Sequence, residues 1–324
     1  MKAALCKSLD GPDAIEIANI DAPIAGPGEV AIRVQAAALN HFDTLIIRGK
    51  YQRKPELPFS PAGEVAGFID TIGPNVTDLK PGMRVAAYLG WGGARELVTA
   101  PASAVIPIPD GVSFEDASGV SITYGTAIHG LKDRGRLKAG ETVAVLGASG
   151  GAGLAAIEIA KRMGARVIAA ASSSEKLEIC RTHGADVLIN YGQVDLKSAL
   201  REATNGLGPD IIYDCVGGPY CEPALRALNW QGRFLVVGFA TGEIPKLPLN
   251  LLLVKGVEAI GVFWGEAVRR NPDSHRANMT DVLGWVASGF LKPHIHSVYA
   301  LDQITEAIGI LDRREATGKV ILRI

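Results

Sequence analysis

Short apolar runs alternate with turn signals over the first hundred residues of the chain. Such runs lie at residues 30–34, 63–72, 84–88 and 95–99, and the segments between them contain Gly-Pro and Pro-Gly pairs. Apolar runs bounded by glycine and proline in this way are typical of short strands. The pattern therefore predicts a compact, mostly β domain in this part of the chain.

The pattern changes near residue 115, where predicted strands begin to alternate with predicted helices. A proline-free segment at 114–131 is predicted to be helical. Strands are then predicted at 142–146, 166–171, 187–190, 211–215 and 234–238, with helices at 154–163 and 175–183. Strands that alternate with helices of about ten residues form parallel sheets through right-handed crossovers. We therefore expect an α/β fold with a doubly wound parallel sheet.

One more apolar strand is predicted at 257–264, and it would lie at the edge of that sheet. Helices are predicted around 279–288 and 303–313, before a final strand at 319–324. An exposed apolar edge strand favours pairing with a strand of another molecule. The segment 257–264 is therefore a candidate surface for self-association.

Composition and charge limit the classes of partner. The chain has 324 residues, 48% of them hydrophobic and 21% charged, which supplies enough apolar material for two cores. Its 33 basic residues nearly balance its 34 acidic residues, for a formal net charge of −1. Because this balance provides no overall attraction for phosphate backbones or anionic lipids, we expect neither a nucleic acid nor a membrane partner.

The cysteines and the lack of long apolar runs indicate a cellular location. Four cysteines lie at positions 6, 180, 215 and 221, and none forms a C-x-x-C pair or a zinc-lobe spacing. Scattered thiols suit a reducing compartment. No apolar core of signal-peptide length occurs near Met1, and no run of about 18 apolar residues occurs elsewhere. We therefore expect a soluble, cytoplasmic protein.

The clearest candidate for chemistry is the segment 147–153, Gly-Ala-Ser-Gly-Gly-Ala-Gly, which follows a predicted strand and opens a predicted helix. Glycines there allow a pyrophosphate to approach the backbone, and the helix N-terminus supplies N–H donors. The spacing is G-x-x-G-x-x-G rather than the common G-x-G-x-x-G, and a tight turn without a ligand is the alternative. Its position between strand and helix favours a dinucleotide site.

The end of the next strand distinguishes between the two nicotinamide cofactors. An NAD site places Asp or Glu there, about 20 residues after the glycine-rich turn, to hold the ribose 2′-OH. In this chain the strand 167–171 ends in alanine and continues into Ser172, Ser173 and Ser174, with Lys176 close behind. Hydroxyls and a lysine would accept a 2′-phosphate, although Lys176 could also be an ordinary exposed helix lysine. The pattern predicts NADPH.

Several further motifs lie along the chain: Asn40-His41-Phe42-Asp43, the segments 57–67, 80–85, 184–186 and 190–191, and Thr317-Gly318-Lys319-Val320. With these motifs the whole chain resembles the medium-chain dehydrogenase/reductase superfamily, and within it the zinc-independent NADPH:quinone oxidoreductase (ζ-crystallin-like) branch. The resemblance implies a mostly β, GroES-like catalytic domain formed by 1–120 and 266–324. It implies an NADPH-binding Rossmann domain at 121–265.

The positions at which the related alcohol dehydrogenases bind zinc differ in this chain. Those enzymes have Cys where this chain has Asn40 and His where it has Gly63, and they have a four-cysteine lobe after the region of Tyr88. A zinc site needs at least three protein ligands of Cys, His or carboxylate type. We therefore expect no metal. Asn40, Asp43 and Tyr51 match the zinc-free branch.

The resemblance also implies a set of nucleotide contacts. These are Thr123, Ser149, Gly150, Gly151, Ala152, Gly153, Ser172, Lys176, Tyr191, Gly217, Gly238, Phe239, Val262, Phe263, Trp264 and Lys319. Each has an ordinary structural alternative. Tyr191 could cap a strand instead of stacking on adenine, the two later glycines could serve turn geometry, the two phenylalanines could be core residues, and Lys319 could be a solvated strand lysine.

The resemblance implies hydride transfer from NADPH to a quinone or related conjugated carbonyl. Asn40 would orient the nicotinamide or the substrate carbonyl, and Tyr51 would bind the cofactor or supply a proton. One alternative is an enone or enoyl-thioester (acyl-CoA) reductase, which a basic surface near the substrate would favour. Another is a non-catalytic NADPH-binding structural or regulatory protein. The family also joins two sheets at the strand 257–264, which implies a homodimer.

Overall fold

The computed structural model describes residues 1–324. Its strands are β1 (Lys2–Cys6), β2 (Ile15–Asn19), β3 (Glu29–Leu39), β4 (Glu64–Ile72), β5 (Arg84–Tyr88), β6 (Leu97–Pro101), β7 (Val105–Pro107), β8 (Thr142–Leu146), β9 (Arg166–Ala171), β10 (Val187–Asn190), β11 (Ile211–Asp214), β12 (Arg233–Val236), β13 (Glu258–Gly261), β14 (Ile295–Ala300) and β15 (Lys319–Arg323).

The α-helices are α1 (His41–Ile46), α2 (Phe114–Ser118), α3 (Ser121–Ile128), α4 (Gly151–Arg162), α5 (Ser174–Thr182), α6 (Leu196–Glu202), α7 (Cys221–Ala227), α8 (Asn250–Lys255), α9 (Trp264–Arg270), α10 (Pro272–Ala287) and α11 (Ile304–Asp312). None of them is both long and apolar enough to cross a membrane. The chain divides into two compact units, one formed by Met1–Ile122 with Gly265–Ile324 and the other by Thr123–Trp264.

The first unit is built on a seven-stranded sheet in the order β14-β15-β3-β4-β5-β7, with β6 also paired to β3. The long strand β3 pairs antiparallel with both β4 and β15, with Ala38 opposite Glu64 and Leu39 opposite Val320. This register brings three chain positions to one end of the sheet: the residue after β3, the first residue of β4 and the first residue of β15. They are Asn40, Glu64 and Lys319.

The second unit is a six-stranded, wholly parallel sheet in the order β10-β9-β8-β11-β12-β13. Its central strands are apolar and buried almost throughout, as in β9 and β8. Parallel sheets are covered by helices on both faces, so such strands have continuous apolar runs rather than alternation. The chain order reverses between β8 and β11, and ligands bind at the carboxyl ends of strands at such a switch point.

The structure confirms the predicted fold class, an α/β chain with a parallel sheet and a separate mostly β unit. The strands predicted at 84–88, 142–146, 166–171 and 187–190 have the observed bounds. The helix predicted at 114–131 is interrupted, because α2 ends at Ser118, with Gly119 as its C-cap, and α3 begins at Ser121.

The prediction of a strand over residues 257–264 was wrong about its length. The edge strand β13 covers only Glu258–Gly261, and Trp264 is the first residue of α9 rather than the end of a strand. The apolar run contained two different features, a short edge strand and the residues that follow it. Of the latter, Val262 and Trp264 are buried, whereas Phe263 is 47% exposed.

Candidate functional site

The glycine-rich turn leaves β8 at its carboxyl end and leads into α4. Gly147 has a φ of 71°, and a Cβ at this position would lie 2.8 Å from a methyl carbon of Val216. The backbone N–H groups of Gly147 and Ala148 both donate to the carbonyl of Ala170, at 3.1 Å each. The turn is therefore fastened to β9 and has no room for a side chain at its first position.

Gly153 allows α4 to pack directly on this turn. A Cβ at Gly153 would lie 2.3 Å from the carbonyl oxygen of Gly147 and 2.6 Å from that of Ala148. At the helix N-cap, Gly150 provides no side-chain hydrogen bond, so no capping side chain satisfies the N–H groups of the first turn. An N-terminus of this kind, on a helix of 12 residues, favours an anion through its N–H donors and its dipole. Gly151, Ala152 and the buried Ser149 complete the turn.

The segment after β9 has the features expected for a 2′-phosphate site. Ser172 is exposed and Lys176 is partly buried. Ser173 is instead the N-cap of α5, and its hydroxyl accepts the N–H of Lys176 at 3.4 Å. Hydrogen bonds from its own backbone N–H and from Ser173 lower the pKa of Glu175. The nearby carboxylate is therefore already used in the first turn of the helix.

A buried carboxylate, not identified from the sequence, shapes the loop after β11. Asp214 is 2% exposed, and its Oδ1 accepts the N–H groups of Val216 at 2.8 Å and Gly217 at 3.0 Å. Burial raises the pKa of this carboxyl, and the two N–H bonds oppose that shift. An acidic residue that ends a buried strand just before a Gly-Gly pair was the available signal.

The structure brings Gly217, Gly238 and Phe239 together. The N–H of Gly238 donates to the carbonyl of Asp214 at 3.2 Å. Gly217 has a φ of 67°, and a Cβ there would lie 2.7 Å from the ring of Phe239. Both a left-handed conformation and close packing therefore require glycine at position 217.

Tyr191 lies against another tyrosine. Its ring centroid is 4.3 Å from that of Tyr220, with the planes tilted by 41°. Burial raises the pKa of Tyr191 to about 12. One face of the ring therefore already has an aromatic neighbour, which supports the strand-end alternative and leaves at most the other face for a base.

The remaining nucleotide positions of the second unit differ in exposure. Thr123, Val262 and Trp264 are buried, and Phe263 is half exposed. The indole of Trp264 covers Gly125, where a Cβ would lie 2.7 Å from the ring. Trp264 is thus packed on α3 of its own unit.

The first unit contains a buried polar cluster formed by Asn40, Glu64 and Lys319, with exposures of 7%, 0% and 3%. The ammonium of Lys319 donates to Asn40 Oδ1 at 2.5 Å and to Glu64 Oε1 at 2.8 Å. Asn40 Nδ2 donates to Glu64 Oε1 at 3.0 Å. The other carboxylate oxygen of Glu64 accepts the N–H of Ile122 at 2.7 Å. Lys319 is therefore not a solvated strand lysine.

These bonds determine how the Asn40 amide is oriented. Its oxygen faces the Lys319 ammonium, and one amide hydrogen faces Glu64. Its remaining contact is a long hydrogen bond of 3.4 Å from Nδ2 to the carbonyl of Ala38. A ligand carbonyl could compete only for that last hydrogen.

Asp43 supports the same cluster from α1. Its carboxylate accepts the N–H of Asn40 at 2.8 Å and that of Ala62 at 3.0 Å. Complete burial raises the pKa of Asp43 to about 7, although both N–H bonds and Lys319 lower it. The sequence suggested Asp43 only by resemblance and gave Glu64 no role. Glu64 becomes apparent only when β3, β4 and β15 are paired.

Two tyrosines lie in the same unit. The Tyr51 ring is 5.4 Å from that of Phe42, and burial raises the Tyr51 pKa while Arg53 lowers it. Burial raises the pKa of Tyr88 to about 12. Both phenols therefore keep their protons at neutral pH and can donate hydrogen bonds.

The position of Gly63 leaves no room for a metal ligand. A Cβ there would lie 2.7 Å from the ring of Phe42 and 2.8 Å from the carbonyl oxygen of Gly90. No group of three or more His, Cys, Asp or Glu side chains in the structure is arranged to hold a metal ion. The absence of such a group does not test whether the protein uses a metal, so the expectation of no metal stays a prediction.

Comparison with known proteins places this geometry in a family. The family profile described as alcohol dehydrogenase GroES-like domain matches residues 26–110, and the one described as zinc-binding dehydrogenase matches residues 151–286. The chain is 38% identical to a quinone oxidoreductase-like protein 2 homolog of Nematostella vectensis, covering 99% of this chain and 88% of that protein. It is 32% identical to the human quinone oxidoreductase, covering 99% and 97%.

Solved structures of similar proteins indicate the same family. A mycobacterial protein, Rv1454c, in complex with NADPH has a TM-score of 0.93 at 29% identity and full coverage of both chains. The CurK enoyl reductase has a TM-score of 0.90 at 25% identity, covering 99% of each chain. The chain therefore belongs to the quinone oxidoreductase-like family of the medium-chain dehydrogenase/reductase superfamily.

Proposed function

We propose that this protein is an NADPH-dependent, zinc-independent oxidoreductase that reduces a quinone or a related conjugated carbonyl. The observation that supports this most directly is the turn at 147–153. The turn has two positions, Gly147 and Gly153, where only glycine fits. It also has a helix N-terminus without a capping side chain, and it lies at the switch point of a parallel sheet. These features together fit a dinucleotide pyrophosphate.

The residues after β9 fit the phosphorylated cofactor. An exposed hydroxyl at Ser172 and the ammonium of Lys176 lie within one short segment, and no acidic residue ends the strand. A carboxylate at that point would repel a 2′-phosphate, whereas these groups can bind it. The NADPH complex of the mycobacterial relative, which matches over its full length, supports the same choice.

In the first unit, the chain supplies groups that bind and orient a carbonyl substrate. When bound, NADPH supplies the hydride at C4 of its nicotinamide. Asn40 is held in one orientation by Lys319 and Glu64, so the amide hydrogen that makes only the long bond to the Ala38 carbonyl can be presented to a substrate without rotation of the side chain. Tyr51 keeps its phenolic proton and can donate it in a hydrogen bond.

The test is NADPH oxidation, with NADH in parallel, against ortho- and para-quinones, 2-alkenals, enones and crotonyl-CoA, with and without a chelator. We expect chelator-resistant oxidation of NADPH with quinones. Turnover that requires an added metal would contradict the proposal. Tight NADPH binding without turnover of any acceptor would instead favour a structural or regulatory protein.

Cofactor preference is tested separately. The double variant Ser172→Ala, Lys176→Ala should raise the KM for NADPH about tenfold, because it removes two phosphate contacts, and should leave the KM for NADH unchanged. The exposed Lys197 on α6 offers a matched control, since Lys197→Ala should change neither value. Equal use of NADPH and NADH by the unmodified protein would contradict the cofactor assignment.

We also propose a homodimer formed through β13. This strand is the edge of the parallel sheet, and three of its four residues are exposed. Leu253 and Val254 on α8 are 81% and 63% exposed, so apolar surface lies in the same unit. Light scattering at micromolar concentration should give twice the chain mass, and Ala259→Lys, which places a charge on the edge, should give a monomer. A monomeric unmodified protein would contradict this.

A further inference from the structure

Three arginines surround one glutamate in the first unit. Glu266, in the first turn of α9, accepts a hydrogen bond from Arg53 at 2.5 Å, two from Arg269 at 2.5 and 3.1 Å, and one from Arg270 at 2.7 Å. We call Arg53, Arg269 and Arg270 the arginine cluster. One carboxylate neutralises only one of their three charges, so the cluster has a net positive charge.

The arginine cluster faces solvent and has spare donors. The side chains of Arg53, Arg269 and Arg270 are 37%, 60% and 73% exposed, whereas that of Glu266 is only 24% exposed. The four hydrogen bonds to Glu266 use a minority of the guanidinium N–H groups. The carboxylate therefore holds the guanidiniums in place from beneath, and their outer N–H groups remain available to an anion.

Neighbouring residues strengthen the positive charge. Lys50 and Lys54 flank Arg53 in the loop after α1, and both are exposed and outside any ion pair of the structure. No acidic residue occurs between positions 44 and 55. The five basic side chains outnumber the acidic ones nearest to them in sequence, Glu56, Glu266 and Asp273, so this surface has an excess of positive charge although the protein as a whole has a formal net charge of −1.

The arginine cluster adjoins the proposed substrate groups through residues of its own unit. Tyr88, at the end of β5, lies opposite Glu64 of the polar cluster in the antiparallel pairing of β5 with β4. The Tyr88 hydroxyl also lies against Gly265, where a Cβ would be only 2.8 Å away. Gly265 precedes Glu266, and Arg53 lies two residues after Tyr51. A molecule whose carbonyl reached Tyr51 or Asn40 could therefore extend to the arginines.

A quinone has no anionic group, so its reduction does not need these charges. Guanidinium groups in a fixed arrangement recognise phosphate groups in particular, because their planar donors match phosphate oxygens. We propose that the arginine cluster binds the phosphate groups of a coenzyme A thioester, and that the conjugated substrate of this protein is an enoyl-CoA. This inference rests on the proposed function and specifies its substrate class.

The proposed reaction is balanced by the cofactor already assigned. The carbon–carbon double bond of the thioester takes up a hydride from NADPH at the β-carbon and a proton from solvent at the α-carbon. The products are the saturated acyl-CoA and NADP+, and no other reductant is needed. The relative with a comparable fold that is described as an enoyl reductase is compatible with this substrate class.

The first experiment compares two thioesters of the same acyl group. Crotonyl-CoA contains the phosphates, whereas the crotonyl thioester of N-acetylcysteamine does not. At saturating NADPH, we expect the KM for crotonyl-CoA to be at least about tenfold lower, and to rise with ionic strength as exposed charges are screened. Equal KM values for the two thioesters, or no reduction of either, would overturn the inference.

The second experiment locates the phosphate contact. Arg269→Gln and Arg270→Gln should each raise the KM for crotonyl-CoA about threefold to fivefold, in keeping with exposed charge contacts. The kcat, the KM for the N-acetylcysteamine thioester and the KM for NADPH should stay unchanged. Arg313→Gln removes an equally exposed, ion-paired arginine of the same unit and should have no effect. A rise in the KM for NADPH instead would show that the cofactor phosphate binds there, and would overturn the inference.

Direct binding provides a readout without turnover. Calorimetric titration should show CoA binding more tightly than pantetheine, and the Arg269→Gln, Arg270→Gln double variant should remove the difference. Quinone reduction by the same variants separates this inference from the proposed function. Retained quinone turnover with no preference for CoA overturns only the inference, whereas loss of all acceptor turnover by the unmodified protein overturns the proposed function.

Discussion

Removal of the Lys319 ammonium should destabilise the first unit strongly. Lys319 and Glu64 form an ion pair of 2.8 Å with side-chain exposures of 4% and 0%. Lys319→Met leaves the carboxylate buried, with hydrogen bonds from Asn40 and the N–H of Ile122 as its remaining partners. Loss of one partner from a buried pair costs about 3 to 5 kcal/mol, and the two remaining bonds indicate the lower end.

The methylene chain of Lys319 is also packed, since a Cβ at Gly119 would lie 3.3 Å from its Cγ. Methionine keeps most of that packing, so the loss reports mainly on the charge. For a unit of this size, a loss of about 3 kcal/mol corresponds to a fall in Tm of about 6 to 12 °C. Differential scanning calorimetry and urea unfolding followed by tryptophan fluorescence would both measure it.

A double-mutant cycle with Glu64→Gln separates the ion pair from other effects. The double variant should lose at least about 2 kcal/mol less than the sum of the single variants, because the second change removes the charge that the first left unpaired. Lys80→Met, at an exposed lysine of the same unit, should change the free energy of unfolding by less than about 0.5 kcal/mol. A loss below about 1 kcal/mol in Lys319→Met, or strict additivity in the cycle, would refute the reasoning.

Three further predictions concern other buried positions. The folded-state pKa of Asp43 is raised to about 7 from 3.8, so the folded protein binds this proton more tightly. Its contribution to stability is therefore fully present below about pH 4 and is lost as the pH rises to about 7. Asp43→Asn should flatten the fall in Tm between about pH 4 and 7; parallel curves for the variant and the unmodified protein would argue against this. Gly153→Ala should weaken NADPH binding at least about tenfold, because the added Cβ would displace the carbonyls of the turn. Fluorescence titration measures the affinity for NADPH, and an unchanged affinity would contradict this prediction. Glu158→Leu should lower the free energy of unfolding by about 2 to 4 kcal/mol. The buried carboxylate accepts a hydrogen bond from the Tyr124 hydroxyl at 2.6 Å and bonds His183 Nδ1 at 2.7 Å, and leucine leaves both partners unsatisfied. An unchanged free energy in urea unfolding would contradict this prediction.

Local pattern was sufficient for much of the second unit. The strands at 142–146 and 166–171 are continuous apolar runs between turn signals, and the glycine-rich turn follows one of them directly. Such features involve neighbouring residues, which is why the sequence alone predicts them. The alternation of strands and helices along the chain likewise predicted the parallel sheet. Asp214 was missed because its role depends on which N–H groups its side chain reaches after the strand ends.

Apolar runs do not by themselves distinguish a strand from the residues that follow it. The run at 257–264 contains β13, the buried Val262 and the first residue of α9. Trp264 is buried because its indole covers Gly125 on α3, a contact between residues far apart in sequence. The pattern therefore indicated the burial of Ile260, Val262 and Trp264, but neither the exposure of Phe263 nor the type of element that each residue belongs to.

The sequence alone determined the fold class, the glycine-rich turn and the absence of a carboxylate at the end of β9, because each depends on residues close together in the chain. The tertiary structure decided the polar cluster. Lys319 and Asn40 are separated by 279 positions and meet because β15 and β4 both pair with β3. The arginine cluster likewise joins Arg53 to Glu266, 213 positions away. Contacts at such separations depend on strand register and packing, which no local pattern of residues specifies.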